Sequence, residues 1–141
     1  KYLKAGIIRR SQSPYVAPIV VVLKKNERIQ STCDYRRLNE ATVISQTPIP
    51  RIDELLYTLG SASFFFNPFD MMSGFHQIMI GENSEPLTVF YTASGLYEFL
   101  AMPMGTSGSS GHFQRVIQQV IADLAHFVTI YIDDVLVRSN D

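Results

Sequence analysis

Apolar runs rich in β-branched and aromatic residues alternate along the chain with short polar segments that favour turns. Such runs predict β-strands. They lie at residues 15–23, just before Cys33, at 61–70, on both sides of Ser94-Gly95, and on both sides of Asp133-Asp134. Pro18 interrupts the first run, and because proline has no N–H to donate, that strand should be an edge strand or contain a bulge.

Two other stretches place apolar residues three and four positions apart, which is the spacing of one face of an α-helix. The first stretch spans residues 46–60, and the second runs from Phe113 to Leu124. In chain order the elements are strand, strand, helix, three strands, helix, strand, strand. This order lacks the strict alternation of a parallel sheet, and it predicts an α+β fold in which helices back an antiparallel sheet.

The composition is that of a globular domain. Of the 141 residues, 46% are hydrophobic and 18% are charged, a balance that does not indicate disorder. No apolar run approaches the roughly 18 residues of a membrane span, so we expect no membrane partner. Cys33 is the single cysteine, which excludes a disulfide framework and a Cys-based zinc site. The chain begins with Lys1 rather than Met and shows no signal peptide, so we expect it to be part of a longer protein.

The net charge of -1 hides a strong asymmetry. Residues 1–51 contain ten Lys or Arg and three acidic residues, whereas the remainder contains two basic and ten acidic residues. One part of the chain therefore has the charge to attract a polyanion, and the other part has the charge to hold cations. Two solvated faces of unrelated charge are an equally open explanation.

Asp133 and Asp134 stand side by side between the apolar runs FVTIYI and VLV. Adjacent carboxylates repel each other, and burying either one costs free energy. They could form the hairpin turn itself, since aspartate favours turns, although such turns favour Asn-Gly or Asp-Gly. A divalent cation is the other explanation, because Mg²⁺ takes carboxylate oxygens at about 2.0–2.1 Å and shares its shell with substrate phosphates.

Asp70 is the candidate partner for this pair. It ends the apolar run FFFNPF, so we expect it at the end of a strand among buried neighbours, where an unpaired acid is rare. A salt bridge to an arginine would also explain it, although the basic residues are concentrated in the first third of the chain. Three carboxylates on adjacent strand ends could hold two Mg²⁺ ions about 3.5–4 Å apart, the arrangement used for phosphoryl transfer.

Several sequence blocks, in this order along the chain, resemble those of a reverse transcriptase. They are DYRRLNEAT at 34–42 with TPIPRIDELL after it, FDMMSGFHQI at 69–78, GLYEFLAMPMG at 95–105 with HFQRVI at 112–117, and YIDD at 131–134. The similarity is to the polymerase of gypsy-type long-terminal-repeat retrotransposon Pol polyproteins, with retroviral enzymes as more distant relatives. Blocks in the right order are far more specific than a lone Y-x-D-D.

The resemblance implies a right-hand polymerase of which this chain holds the fingers, at about 1–46 and 78–108, and the palm, at about 47–77 and 109–141, with the thumb and ribonuclease H absent. It implies RNA- and DNA-directed DNA synthesis, in which a primer 3′-hydroxyl attacks the α-phosphate of a deoxynucleoside triphosphate. The implied partners are a primed RNA or DNA template, the triphosphates, and the remaining Pol domains (thumb, ribonuclease H, integrase and protease). The implied location is intracellular, in a cytoplasmic virus-like particle or the nucleus.

The resemblance also assigns individual residues. The positions that match the catalytic acids, which bind two Mg²⁺ or Mn²⁺ ions, are Asp70, Asp133 and Asp134. The positions that match the surroundings of the incoming nucleotide are Lys24, Lys25, Arg28, Phe75, Met104 and Gly105. The positions that match contacts to nucleic acid are Arg36, Arg37 and Tyr131.

Some of these residues have simpler explanations. Phe75 could be an ordinary core phenylalanine, Tyr131 could merely fill the sheet, and Arg36 could pair with Asp34. The lysines at 24 and 25 lie in a predicted turn, where a lysine side chain is usually just solvated.

Two departures from the family pattern bear on activity. The family has Trp-Arg ahead of the DYR block, where this chain has Ile29-Gln30, and Arg28 lies two positions away, on the same strand face but at another height. The run around Ser110-Gly111 lacks the usual proline, which removes a helix-start signal. These departures leave a second hypothesis open: a catalytically decayed relic that keeps the fold and weak nucleic-acid binding.

Overall fold

A computed structural model of the chain describes residues 1–23, 29–44, 51, 53–54, 57, 60, 64–65 and 69–139. The helix predicted over residues 46–60 lies largely outside these residues, together with its apolar positions. Of that segment, Asp53, Glu54 and Tyr57 are helical.

The secondary structure mixes short strands with helices. The strands are β1 Ile8–Arg10, β2 Ile19–Leu23, β3 Ile29–Cys33, β4 Phe64–Phe65, β5 Phe69–Asp70, β6 Phe90–Thr92, β7 Gly95–Phe99, β8 Val128–Tyr131 and β9 Asp134–Ser139. The helices are α1 Arg36–Ala41 and α2 Ser109–Val120, with 3₁₀ turns at Gly74–Gln77, Glu85–Thr88 and Ala122–Leu124. The described strands pair antiparallel, and the α+β class is thereby confirmed. Within the described part of the chain, no helix is both long enough and apolar enough to cross a bilayer.

The chain divides into two compact units. The first unit comprises residues 1–44 and 75–109, and the second comprises residues 45–74 and 110–141. The fingers and palm boundaries expected from the sequence analysis stay a prediction.

The first unit contains two sheets around an aromatic core. β7 lies between β1 and β6, and β2 pairs with β3. Phe90, Tyr97 and Phe99 are the buried centre of this core. The partly buried side chains that pack against them are Ile7, Ile8, Ile19, Cys33 and Ile80. Burial of these apolar side chains is the main stabilising contribution to this unit.

The turn between β6 and β7 is centred on Ala93-Ser94, because Thr92 pairs with Gly95. The predicted turn at Ser94-Gly95 is therefore wrong by one residue. Gly95 closes the turn at a φ of +121°, which glycine adopts readily because it has no Cβ. The Thr92 hydroxyl accepts a hydrogen bond of 3.1 Å from the Ser94 N–H, which further fixes the turn.

Two buried glutamates in the first unit share one arginine. The side chains of Glu85 and Glu98 are each 7% exposed, whereas that of Arg9 is 54% exposed. The Arg9 guanidinium lies 2.6 Å from Glu85 Oε2 and donates a hydrogen bond of 2.7 Å to Glu98 Oε1. The Ser11 hydroxyl donates to the other oxygen of Glu98. Arg9 is thus paired with carboxylates of its own unit, although the charge distribution along the sequence counts it among the basic residues of positions 1–51.

The second unit is built on β9, which pairs with β4, β5 and β8. Along β8, buried Val128 and Ile130 alternate with half-buried Thr129 and Tyr131, the two-residue period of a strand that faces a core on one side. From α2, Phe113 and Gln114 are almost completely buried. Because β9 lies between β5 and β8, it brings the ends of both neighbouring strands together.

α2 begins at Ser109, within the run that lacks the expected helix-start signals. The Ser109 N–H donates a hydrogen bond of 3.3 Å to the Thr106 carbonyl, and the two hydroxyls also share a hydrogen bond. These contacts satisfy polar groups at the helix start. A proline at that point has no N–H group and would need no such hydrogen bond. The missing proline therefore does not prevent the helix from forming.

Glu98 should make the stability of the fold sensitive to acid. Burial is the largest influence and raises the pKa of Glu98, but the bonds from Ser11 and Arg9, with the Arg9 charge, together bring this pKa below its ordinary value. A lowered pKa stabilises the fold above the unfolded-state value of about 4.3, and that contribution is lost as pH falls through the folded-state pKa. Glu98→Gln should lower the free energy of unfolding at neutral pH and flatten its decline in acid, as measured by urea denaturation across pH.

The control for this measurement is Glu40→Gln, at an exposed position of α1. This variant should keep the acid dependence of the unaltered protein. If Glu98→Gln and Glu40→Gln decline alike in acid, the carboxylate of Glu98 is not stabilised by its partners as described.

Candidate active site

β8 and β9 form a tight hairpin at the YIDD segment. Tyr131 pairs with Asp134, which leaves Ile132 and Asp133 as the two central residues of the turn. The turn is therefore one residue earlier than a turn made by Asp133-Asp134, and Asp134 already belongs to β9. Ile132 has a φ of +54°, the left-handed conformation that such short hairpin turns require.

β5 brings Asp70 to the same place. Its residues pair antiparallel with β9, so that Phe69 lies opposite Val135 and Asp70 opposite Asp134. Directly opposed residues point to the same face of a sheet with Cβ atoms about 4.5–5.5 Å apart. The Met71 N–H also donates a hydrogen bond of 3.0 Å to the Asp133 carbonyl. Asp70 is thus a neighbour in space of the Asp133-Asp134 pair, from which it is distant in sequence.

The surroundings of Asp70 differ from the expectation that its neighbours are buried, and that expectation is wrong. Asp70 is exposed, and Phe69 before it is 59% exposed. β5 has only two residues, so an apolar sequence at this point does not make a buried strand. The exposed position of Asp70 is compatible with an acid that binds a ligand and equally with an acid that is only solvated.

Asp133 is the most constrained of the three acids. Its Oδ1 is buried and has no hydrogen-bond partner among the described residues. Burial raises the pKa of Asp133, and the charges of Asp70 and Asp134 raise it further. Each effect disfavours a carboxylate at this position, so the arrangement is unfavourable unless a positive charge compensates it.

A divalent cation fits this chemistry. Carboxylate oxygens are the ligands that Mg²⁺ prefers in proteins, and the buried Oδ1 of Asp133 has no donor within the described ranges of the chain. Among the side chains that the structure describes, no three of His, Cys, Asp or Glu converge on one ion position. The exposed acids Asp70 and Asp134 can change rotamer toward an ion without disturbing the core.

Gly74 packs against Asp133, a role that its position in the sequence did not predict. A Cβ at this position would lie 2.9 Å from Phe113 Cζ and 3.1 Å from Asp133 Oδ1. Real Cβ atoms do not approach a carbon of a packed core so closely, since interiors are close-packed. The sequence signal is its place in the FDMMSGFHQI block, four residues after Asp70.

The other residues assigned from the resemblance are distributed between the units. In the second unit, Tyr131 is half-buried in β8 beside the turn. In the first unit, Phe75 is 7% exposed and Met104 is 45% exposed, and Gly105 is exposed with a φ of +88°. Lys24, Lys25 and Arg28 lie outside the described residues.

The arginines of the DYRRLN block behave differently from each other. Arg36 forms an ion pair with Asp34 at 2.6 Å, which is the simpler of the two explanations given for it. Arg37 is exposed and, with Tyr15 and Leu38, lines a cavity of about 820 Å³ in the first unit. Of the two, Arg37 has the charge more available to a phosphate.

Comparisons with known proteins agree with the sequence blocks. The family model described as reverse transcriptase (RNA-dependent DNA polymerase) matches residues 21–141. The retrovirus-related Pol polyproteins of the Drosophila melanogaster transposons opus and gypsy are 40% and 38% identical, and each match covers 99% of this chain and 14% of the polyprotein. A crystal structure of the Prototype Foamy Virus protease-reverse transcriptase is similar with a TM-score of 0.88 at 23% identity, over 99% of this chain and 19% of that one. The resemblance inferred from the sequence, and its fold, are confirmed.

Asp70, Asp133 and Asp134 together form an acidic cluster. Removing one charge from this cluster should stabilise the protein when no divalent cation is present. The raised pKa of Asp133 means that ionisation weakens the fold, so the penalty grows as pH rises from the unfolded-state pKa through the raised folded-state value. Asp133→Asn should therefore raise the thermal midpoint in EDTA at neutral pH. Asp123→Asn, at an exposed acid outside the cluster, should give no such gain, and an equal gain in both would argue against repulsion at the cluster.

Adding a methyl group at Gly74 should disturb the wall behind Asp133. Gly74→Ala forces Phe113 or the Asp133 carboxylate to move, and such overpacking typically costs about 1–3 kcal/mol of unfolding free energy. Gly81→Ala is the matched control, because a Cβ added at Gly81 would have no atom within 4 Å. Urea denaturation of the two variants measures the difference, and equal stability would contradict the close approach at Gly74.

Proposed function

Because this chain belongs to the reverse transcriptase (RNA-dependent DNA polymerase) family, we propose that it supplies the fingers and palm of an RNA-directed DNA polymerase. In this proposal the unit of residues 1–44 and 75–109 is the fingers, and the unit of residues 45–74 and 110–141 is the palm. The chain covers 14% of the Pol polyproteins named above, so the activity belongs to the protein at its full natural length.

The proposed reaction joins a deoxynucleotide to a primer. The primer 3′-hydroxyl releases its proton to solvent and its oxygen forms a bond to the α-phosphorus of a deoxynucleoside triphosphate. The bond from that phosphorus to the bridging oxygen breaks, and pyrophosphate leaves. Two bound divalent cations would supply charge stabilisation and a lowered pKa for the attacking hydroxyl. Asp70, Asp133 and Asp134 would hold these ions and fix their place relative to the primer end.

The observation that carries this proposal is the proximity of Asp70, Asp133 and Asp134, where β5 pairs with β9 next to the turn between β8 and β9. Pairing of β9 with β5 sets Asp70 opposite Asp134, and the hairpin sets Asp133 beside both. The buried Oδ1 of Asp133 accepts no hydrogen bond from any residue that the structure describes, and this favours a cation as its ligand. A turn selected only for folding would avoid this repulsion, because a hairpin needs no acid at that position.

The proposed macromolecular partner is a primed RNA or DNA template, with the remaining Pol domains in the same protein. Arg10 and Arg37 are exposed in the first unit and are the described arginines best suited to phosphate contacts. Arg9 and Arg36 are less suited, since carboxylates already engage them. Phosphate contacts of this kind would make binding weaken steeply with salt.

Metal binding tests the proposal. In the protein at its full natural length, Mg²⁺ with a deoxynucleoside triphosphate should bind with heat measurable by titration calorimetry. Asp70→Asn and Asp133→Asn should each weaken that binding and primer extension by at least the roughly 10–100-fold loss found when a ligand's outer-shell partner is removed. Mn²⁺ should replace Mg²⁺, since both are hard cations that accept oxygen ligands.

Asp123→Asn controls for the loss of one negative charge and should leave both readouts unchanged. If neither Asp70→Asn nor Asp133→Asn affects metal binding, the polymerase proposal is wrong and the decayed relic is the better description. If metal binds but primer extension is undetectable in the unaltered protein, the site persists without the activity, which also favours the relic.

A further inference from the structure

The backbone of Ile132 is held in an unfavourable conformation immediately before Asp133. Its φ is +54°, and a β-branched residue rarely adopts a positive φ because its side chain collides with its own backbone. Asparagine or glycine would relieve this cost at a turn position. The fold must therefore supply contacts that keep Ile132 in place.

Those contacts come from Gln114 of α2. Its Oε1 accepts a hydrogen bond of 2.7 Å from the Ile132 N–H, and its Nε2 donates one of 2.8 Å to the Ile130 carbonyl. The orientation of the amide is fixed, because the reversed orientation would set its NH₂ against the Ile132 N–H and its oxygen against the Ile130 carbonyl. Gln114 is 1% exposed, so water cannot replace either bond without entering the core.

The two hydrogen bonds hold the backbone on either side of Tyr131, at the entry to the turn and directly before Asp133. Ile130 precedes the strained residue by two positions, and Asp133 follows it directly. On the other side, the Met71 N–H binds the Asp133 carbonyl at 3.0 Å, next to Asp70. The backbone around Asp133 is thus fixed from α2 and from the residue that follows β5, whereas Oδ1 of its carboxylate has no hydrogen-bond partner in the described part of the chain.

We propose that Gln114 is a positioning residue for the metal-binding carboxylate of Asp133. It acts through the backbone of Ile132 and touches neither a substrate nor an ion. This inference rests on the proposed function, because it assigns Gln114 a purpose in the site formed by Asp70, Asp133 and Asp134. A glutamine that served only to pack α2 would be matched by an apolar side chain of equal length, since burying an amide brings no gain over burying a hydrocarbon.

The direct test replaces Gln114 by methionine, which has a similar length and no strong donor or acceptor. In the protein at its full natural length, hydrogen exchange of the Ile132 amide should become faster in Gln114→Met. The dissociation constant for Mg²⁺ should rise about tenfold, at the lower end of the losses known for outer-shell changes. Primer extension should fall at low Mg²⁺ and recover at high Mg²⁺, with the KM for primer-template unchanged.

Gln119→Met is the matched control, because Gln119 is exposed on the same helix and should change none of these values. Gln114→Asn carries the test if Gln114→Met does not fold: its amide is one methylene shorter and cannot reach both backbone groups, so the same weaker Mg²⁺ binding is expected. Unchanged Mg²⁺ affinity in whichever variant folds overturns the positioning role. A loss of primer extension that is equal at all Mg²⁺ concentrations also overturns it, because a smaller folded fraction would act in that way.

Asp133→Asn separates this inference from the function on which it rests. If Asp133→Asn abolishes Mg²⁺ binding while Gln114→Met does not weaken it, only the role of Gln114 is wrong. If Asp133→Asn leaves Mg²⁺ binding intact, the proposed function fails, whatever Gln114→Met shows.

Discussion

The pairing of β9 with both β5 and β8 is the constraint on which the site depends. One strand fixes the register of two others, so Asp70 lies opposite Asp134 and the turn before Asp134 presents Asp133. The result is unfavourable electrostatically, since burial and the two neighbouring charges raise the pKa of Asp133. Backbone hydrogen bonds and apolar burial hold the strands in this register against the repulsion.

The residues that hold the backbone of the site are different from the residues whose carboxylates can bind a ligand. Gln114 and Met71 bind the backbone of the turn, and Gly74 leaves just enough space for the Asp133 carboxylate. Asp70 and Asp134 are exposed, and Oδ1 of Asp133 has no hydrogen-bond partner among the described residues, so these oxygens can act as ligands. Preorganised sites generally follow this division, because supporting residues must fix the geometry without occupying the ligand positions.

The features of the site that follow from the order of residues along the chain could be predicted from the sequence. Apolar runs interrupted by acids predicted the final hairpin and the convergence of Asp70 with the Asp133-Asp134 pair. The exposure of Phe69 could not be predicted, because apolar composition does not report what packs against a two-residue strand. α1 was also missed, since RRLNEA has no apolar period and no buried residue. Gln114 gave no signal in the HFQRVI block, because its importance follows from the φ of Ile132, which only the structure reveals.

The central claim is that the acidic cluster exists to hold divalent cations, and paramagnetic Mn²⁺ tests it most directly. In an NMR titration with substoichiometric Mn²⁺, the amide signals of Met71, Asp133 and Asp134 should broaden first, and Asp133→Asn should abolish that selectivity. Broadening centred on other acids, or broadening that Asp133→Asn leaves unchanged, would contradict the claim.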